Sequence, residues 1–189
     1  NVFAQQPGRT AGPGVLLCAH YDSVAAGPGA GDDGAGVATL FEVARALAHE
    51  PLPVHSVSYL FTDAEEIGLV GASGFVAEHP ALADVAVVVN VEARGTWGPS
   101  AMFETSAANA LLIDWLAESV QRPSAISAAY EIYRRMPNDT DLSVFKQAGV
   151  AGYNFAFIGG LRHYHTPLDD RAHLSADSVQ HHGDNVLAL

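Results

Sequence analysis

The run Val85-Ala86-Val87-Val88-Val89-Asn90-Val91 constrains the fold more than any other stretch of this sequence. A continuous β-branched apolar run of strand length predicts a strand buried on both faces, the central position in a parallel sheet. Similar runs recur. Val15 to Ala19 follows a Gly/Pro-rich turn, and His55 to Thr62 carries apolar residues at Val57, Tyr59 and Phe61. Ala101 to Glu104 is shorter, and Gly152 to Ile158 comes late in the chain. Between the runs lie segments with apolar residues at helical spacing. These are Val37 to Ala48 (Val37, Leu40, Phe41, Val43, Ala44, Leu47), Gly71 to Glu78, and Ala108 to Val120 (Leu111, Leu112, Trp115, Leu116). Asp139-Thr140-Asp141 reads as a loop and cap before a helix through Phe145, and Ser175 to Leu189 as a closing helix. Residues 121–138 show no clear period. Strand and helix patterns alternate, so the predicted fold class is α/β, a mostly parallel central β-sheet flanked by helices. No repeat, low-complexity tract or linker interrupts the 189 residues, which predicts one domain over 1–189. The chain opens at Asn1-Val2-Phe3-Ala4 without an initiator Met, and we read it as a domain of a longer protein.

With 21 acidic against 9 basic residues, the net charge is -12. That balance argues against nucleic acid or an anionic membrane surface as partner. The single cysteine, Cys18, excludes an internal disulfide and sits in an apolar run, as an inert core residue does. No apolar stretch approaches the roughly 20 residues of a transmembrane helix. The sequence assigns no oligomeric state.

The chemistry-bearing residues sit where the apolar runs break off. His20-Tyr21-Asp22-Ser23 ends the first run, Glu65-Glu66 follows the second, and Glu92 ends the third. In open α/β sheets ligands collect at the carboxyl ends of strands. Asp32 and Asp33 lie in the glycine-rich loop Gly27 to Gly36. Acidic side chains there would repel phosphate, and no Lys or Ser/Thr follows in place, so the loop is not a phosphate cradle. Its glycines allow close approach to a cation. An isolated Glu-Glu pair reads as two solvated side chains. On an extended backbone, however, neighbours point to opposite sides, so one glutamate can hold a metal while the other faces a water. His20, Asp32, Glu65, Glu66, Glu92 and His165 together form a set with two His, several carboxylates and no Cys. That set suits two zinc or similar ions sharing a carboxylate, with a further carboxylate as proton shuttle.

Five ordered motifs resemble those of metallopeptidase family twenty-eight. They are His20-Tyr21-Asp22-Ser23, Gly31-Asp32-Asp33-Gly34-Ala35-Gly36, Glu65-Glu66-Ile67-Gly68-Leu69, Asn90-Val91-Glu92 and Tyr164-His165-Thr166. The resemblance covers about Val15 to Leu189 and implies a zinc-exopeptidase fold and a zinc-dependent exopeptidase, most simply an aminopeptidase acting on peptides. It implies that Asp32 bridges two zinc ions, with His20 and Glu92 at one and Glu66 and His165 at the other. Glu65 would be the general base, Asp22 would orient His20, and Tyr164 would stabilise the oxyanion. The Asp32-Asp33 peptide is expected to be cis. Many secreted members carry Asp where this chain has Glu92. Glu92, Asp139-Thr140-Asp141 and Gln180 to Asn185 are closer to the endoplasmic-reticulum and vacuolar membrane branch. This implies an extracytoplasmic domain of a membrane-tethered parent.

Other residues carry milder expectations. His163 is a rival to His165, and the Tyr-His-Thr match favours His165. His49, His55, His79, His173, His181 and His182 read as surface or capping residues. Arg94 reads either as a receptor for a substrate carboxylate or as part of a salt bridge, and Asp169 and Asp170 as braces of the His165 loop. Trp97 reads as packing or as a pocket wall. Two other functions compete: a single-zinc acyltransferase of the glutaminyl cyclase type, and a catalytically dead binding module. The complete six-residue set argues against both.

Overall fold

A computed structural model describes all residues from Asn1 to Leu189. Six strands form one sheet in the order β1-β3-β2-β4-β6-β5. They are β1 (Val2–Gln6), β2 (Gly14–His20), β3 (Val57–Thr62), β4 (Val85–Ala93), β5 (Ala101–Thr105) and β6 (Ala151–Phe157). The inner strands β3, β2, β4 and β6 run parallel. Both edges are antiparallel: β1 on β3 and β5 on β6. The short edge strand β1 was not apparent in the sequence, because its Ala-Gln-Gln tail buries little and shows no apolar run. As the Val85 run predicts, β4 lies inside the sheet, with β2 on one side and β6 on the other.

Alternation along the strands splits the core into two layers. Leu17, Ala19, Val87, Val89 and Val91 face one side, with Leu40 and Val43, Leu112 and Leu116, and Val186 packed on them. Those residues belong to α1 (Gly34–Leu47), α3 (Ala110–Ser119) and α6 (Ala176–Ala188). Leu16, Cys18, Leu60 and Val88 face the other side, under α2 (Val70–Glu78) and α5 (Asp141–Gln147). Each fully buried Val or Leu contributes about 1.5–3 kcal/mol, so β4 alone anchors both layers. Cys18 is fully buried, and burial followed by the charge of Asp141 pushes its thiol well above the usual range, as an inert core residue requires.

Three helix details differ from the sequence reading. Phe41 is 62% exposed and stacks on the buried Phe61 from outside, at 4.8 Å between ring centres. In α3 the buried pair is Leu112 and Leu116, while Leu111 and Trp115 face outward, so the apolar stripe is narrower than the composition implied. Asp139-Thr140-Asp141 is the loop and helix start that the sequence suggests, with Thr140 at the N-cap position of α5, but Asp141 is buried: it is 1% exposed and accepts a 2.5 Å hydrogen bond from Thr62 Oγ1. Residues 121–138, without a period in the sequence, contain the short helix α4 (Ser127–Tyr133), which has no buried residue.

Candidate metal centre

The ends of β2 and β4 and the loops after β3 and β6 converge at the carboxyl ends of the parallel inner strands. His20, the last residue of β2, is 1% exposed. Its Nδ1–H donates to the Asp22 carbonyl at 3.0 Å, and the Asp22 carboxylate lies 3.5 Å from the same nitrogen. With Nδ1 so engaged, Nε2 is free to face Asp32 at 3.2 Å and Glu92 at 3.6 Å. The opposite oxygen of Asp32 lies 3.0 Å from His165 Nε2, which in turn is 3.1 Å from Glu66. Two donor groups result, His20–Asp32–Glu92 and Asp32–Glu66–His165, each with its atoms within 4.8 Å of one another. Asp32 belongs to both.

The loops are braced around these side chains. The Asp32-Asp33 peptide is cis, as expected. Asp33 caps α1 by accepting from Gly36 N–H and also accepts from His20 N–H. A Cβ on Gly31 would sit 2.4 Å from the Gly95 carbonyl, so only glycine allows the Asp32 loop to nest there. Asp169 accepts from the N–H groups of Gly31 and Asp32 at 2.7 and 3.1 Å, tying the His165 segment to the Asp32 loop. Its expected bracing role extends across two loops, whereas Asp170 stays local, paired with His173. The extended backbone foreseen at Glu65-Glu66 is replaced by a turn bracketed by left-handed Ala64 and Leu69. The Asp22 carboxylate accepts both glutamate N–H groups, at 3.0 and 3.2 Å. The turn therefore does what strand alternation was expected to do. Glu66 joins a donor group, while Glu65 stays outside both and lines the adjoining cavity of about 670 Å³.

The electrostatics are those of carboxylates crowded out of water. Burial, then the charge of Glu92, pushes Glu65 up to about 9, and burial beside Asp32 pushes Glu66 up to about 7. Burial alone would depress the His20 imidazole, but hydrogen bonding to Asp32 and Glu92 raises it far above the histidine range. Glu66 Oε1 is buried without a hydrogen bond, since its approach to His165 is close in distance but not in angle. An orphaned carboxylate oxygen among imidazole and carboxylate donors fits a zinc-type cation.

The remaining residues sort by contact. Tyr164 lines the cavity, its ring stacked on His165 at 3.7 Å. His163 is buried and bonded to Thr96 Oγ1, outside both donor groups, whereas His165 belongs to one of them. Trp97 is 54% exposed, pairs through its backbone with Gly159 and does not line the cavity. His79 does cap, accepting from Ala81 N–H. His182 overturns its surface assignment. It is fully buried, with Nδ1 2.7 Å from Ser100 Oγ and Nε2–H donating to the Glu92 carbonyl at 3.1 Å. The signal lay in the helical period, because Ser178, His182, Asn185 and Val186 share one buried face of α6.

The profile of Peptidase family M28 matches residues 1–189. The chain belongs to this family. Among its relatives, Endoplasmic reticulum metallopeptidase 1 of Rattus norvegicus is 36% identical over 179 residues, covering 93% of this chain and 20% of that protein. The M28 chain described here thus spans about a fifth of the length of such relatives, which belong to the branch its motifs resemble. Its fold is similar to that of the aminopeptidase from Aneurinibacillus sp. strain AM-1, with a TM-score of 0.76 and 19% identity, over 98% of this chain and 46% of that one. It is also similar to Acidobacteriales bacterium glutaminyl cyclase, with a TM-score of 0.73 and 21% identity, over 98% and 70%. The M28 fold alone therefore does not separate hydrolase from cyclase. M28 membership implies zinc dependence, which the donor chemistry fits.

Proposed function

We propose that this chain is the catalytic domain of a zinc-dependent aminopeptidase with two zinc ions bridged by Asp32. The observation that carries the reading is the pair of three-residue donor groups sharing Asp32, with Glu65 beside them in the same cavity but in neither group. His20 and Glu92 would complete one zinc site, and Glu66 and His165 the other. When bound, zinc supplies Lewis-acid polarisation of the scissile carbonyl and lowers the pKa of water. Glu65 is the general base: cations held by the adjacent donor groups would bring its raised pKa down, and its carboxylate takes the proton of the attacking water and returns it to the leaving amine. Tyr164 donates its hydroxyl to the developing oxyanion. Asp22 holds the His20 ring through its carbonyl and fixes both glutamates through its carboxylate.

The substrate is a peptide, not a nucleic acid. No helix here is long and apolar enough to cross a membrane. The branch resemblance supports a membrane-tethered parent protein whose catalytic domain is extracytoplasmic.

Zinc stoichiometry after reconstitution and desalting tests the reading. We expect close to two ions per chain, fewer in His165→Ala. About one ion would favour the cyclase-type chemistry, and none in a folded sample would favour a binding module.

A further inference from the structure

Arg94 is chemically out of place in the cavity. It is half-buried, whereas the other seven arginines are exposed. Arg45, Arg122, Arg134 and Arg135 pair with carboxylates, and Lys146 pairs with Glu104. Arg94 joins no ion pair, although the chain carries 21 acidic residues against 9 basic ones. A partly desolvated guanidinium without a counter-charge is costly. Its contacts hold it without neutralising it. Nη1 donates to Asn138 Oδ1 at 2.8 Å, and the guanidinium lies over the Tyr164 ring at 5.1 Å. Its backbone N–H is fixed to the Phe157 carbonyl at 3.0 Å. Nε and Nη2 make no hydrogen bond within the chain, and this side of the guanidinium is the fork that matches a carboxylate.

We infer that Arg94 is the receptor for a carboxylate of the substrate, so that the preferred substrates are short peptides with a free carboxylate just beyond the scissile bond. This rests on the hydrolase reading above. Arg94 and Tyr164 line the same cavity as Glu65, and the guanidinium lies over the Tyr164 ring, 5.1 Å from its centre, while that ring stacks on His165 of one donor group at 3.7 Å. At about 3.3–3.6 Å per extended residue, a carboxylate one or two residues past the scissile carbonyl reaches over distances of this scale. Asn138 supports the role, because its Oδ1 orients the guanidinium while its Nδ2 makes no hydrogen bond within the chain.

The test uses the zinc-reconstituted protein with Leu-Leu as free acid, Leu-Leu amide and Leu-Glu amide. The free acid should exceed the amide in kcat/KM by on the order of tenfold, mainly through KM. Arg94→Ala should erase that ratio and Arg94→Lys retain part of it, because the ratio is taken within each variant and a general loss of activity cancels. Arg94-dependent preference for Leu-Glu amide over Leu-Leu amide would place the recognised carboxylate on a side chain. Wild-type ratios near one in both comparisons, or ratios unchanged in Arg94→Ala, overturn the receptor and leave the hydrolase reading standing. Melting-temperature shifts separate the two ideas. A protein that cleaves none of the three peptides, but is stabilised by the free acid through Arg94, loses the hydrolase reading and keeps the receptor. No cleavage and no shift sinks both.

Discussion

Replacing Asn154 with Leu should cost about 4 kcal/mol of stability and loosen the metal centre. Asn154 is fully buried on β6, with Asn90 of β4 as its cross-strand neighbour. Its Nδ2 donates to Thr140 Oγ1 at 2.8 Å and to Glu104 at 3.1 Å, while its Oδ1 accepts from Asn90 Nδ2 at 3.1 Å. Leucine has similar volume, so the loss is polar rather than a cavity. One bond to a carboxylate is worth roughly 1.5–3 kcal/mol and two neutral ones about 1 kcal/mol each. Glu104 keeps its partner Lys146, so the full desolvation penalty is not exposed. A loss of about 4 kcal/mol is a large share of the 5–15 kcal/mol typical of a domain. Urea unfolding of zinc-stripped protein, followed by tryptophan fluorescence, should show a lower midpoint at unchanged slope. Asn90 Nδ2 also donates to Glu92 at 3.2 Å, so zinc affinity should fall about tenfold or more as well. A stability change below about 1 kcal/mol at unchanged slope would refute the network's role.

Two further outcomes are expected. Glu65→Gln should lower kcat by about 10²–10⁴ while zinc content stays that of the wild type; a loss of zinc would move Glu65 among the ligands. His182 should make the fold acid-sensitive: burial holds its imidazole down at about 3, so it stays neutral in the fold while the unfolded chain takes up a proton below about 6.5. Stability is therefore intact above pH 6.5 and lost as pH falls toward 3, by about 2 kcal/mol between pH 7 and pH 5. Denaturation of zinc-stripped His182→Gln should lack that share of the slope, and equal slopes in the two proteins would remove His182 as its source.

The centre was legible because parallel strands must end somewhere, and what ends them is functional. His20 and Glu92 stand on or at the end of runs whose apolar content specifies buried strands, so position and chemistry could be read together. The resemblance supplied the pairing of donors. What stayed hidden was set by tertiary contact. The turn at Glu65-Glu66 depends on Asp22, whose carboxylate reaches across 43 residues of sequence. Asp169 looked local and ties two loops through backbone groups that carry no sequence signal. Phe41 keeps the helical spacing of a core residue but lies outside Phe61. His182 looked polar enough for the surface, and its bonds to Ser100 Oγ and the Glu92 carbonyl, one on each ring nitrogen, explain its burial.

The donor groups draw on residues from His20 to His165, on strands and loops that meet only when β2, β3, β4 and β6 are aligned. No short stretch of the unfolded chain brings these donors together. Ion capture is therefore a late event in folding, reporting that the parallel strands have already closed over most of the sequence. Ions held by the two donor groups would bind the native chain in preference to the unfolded one, so free zinc would add stability by mass action. In a compartment where zinc runs low, this domain would lose the catalytic ion and part of its resistance to unfolding together.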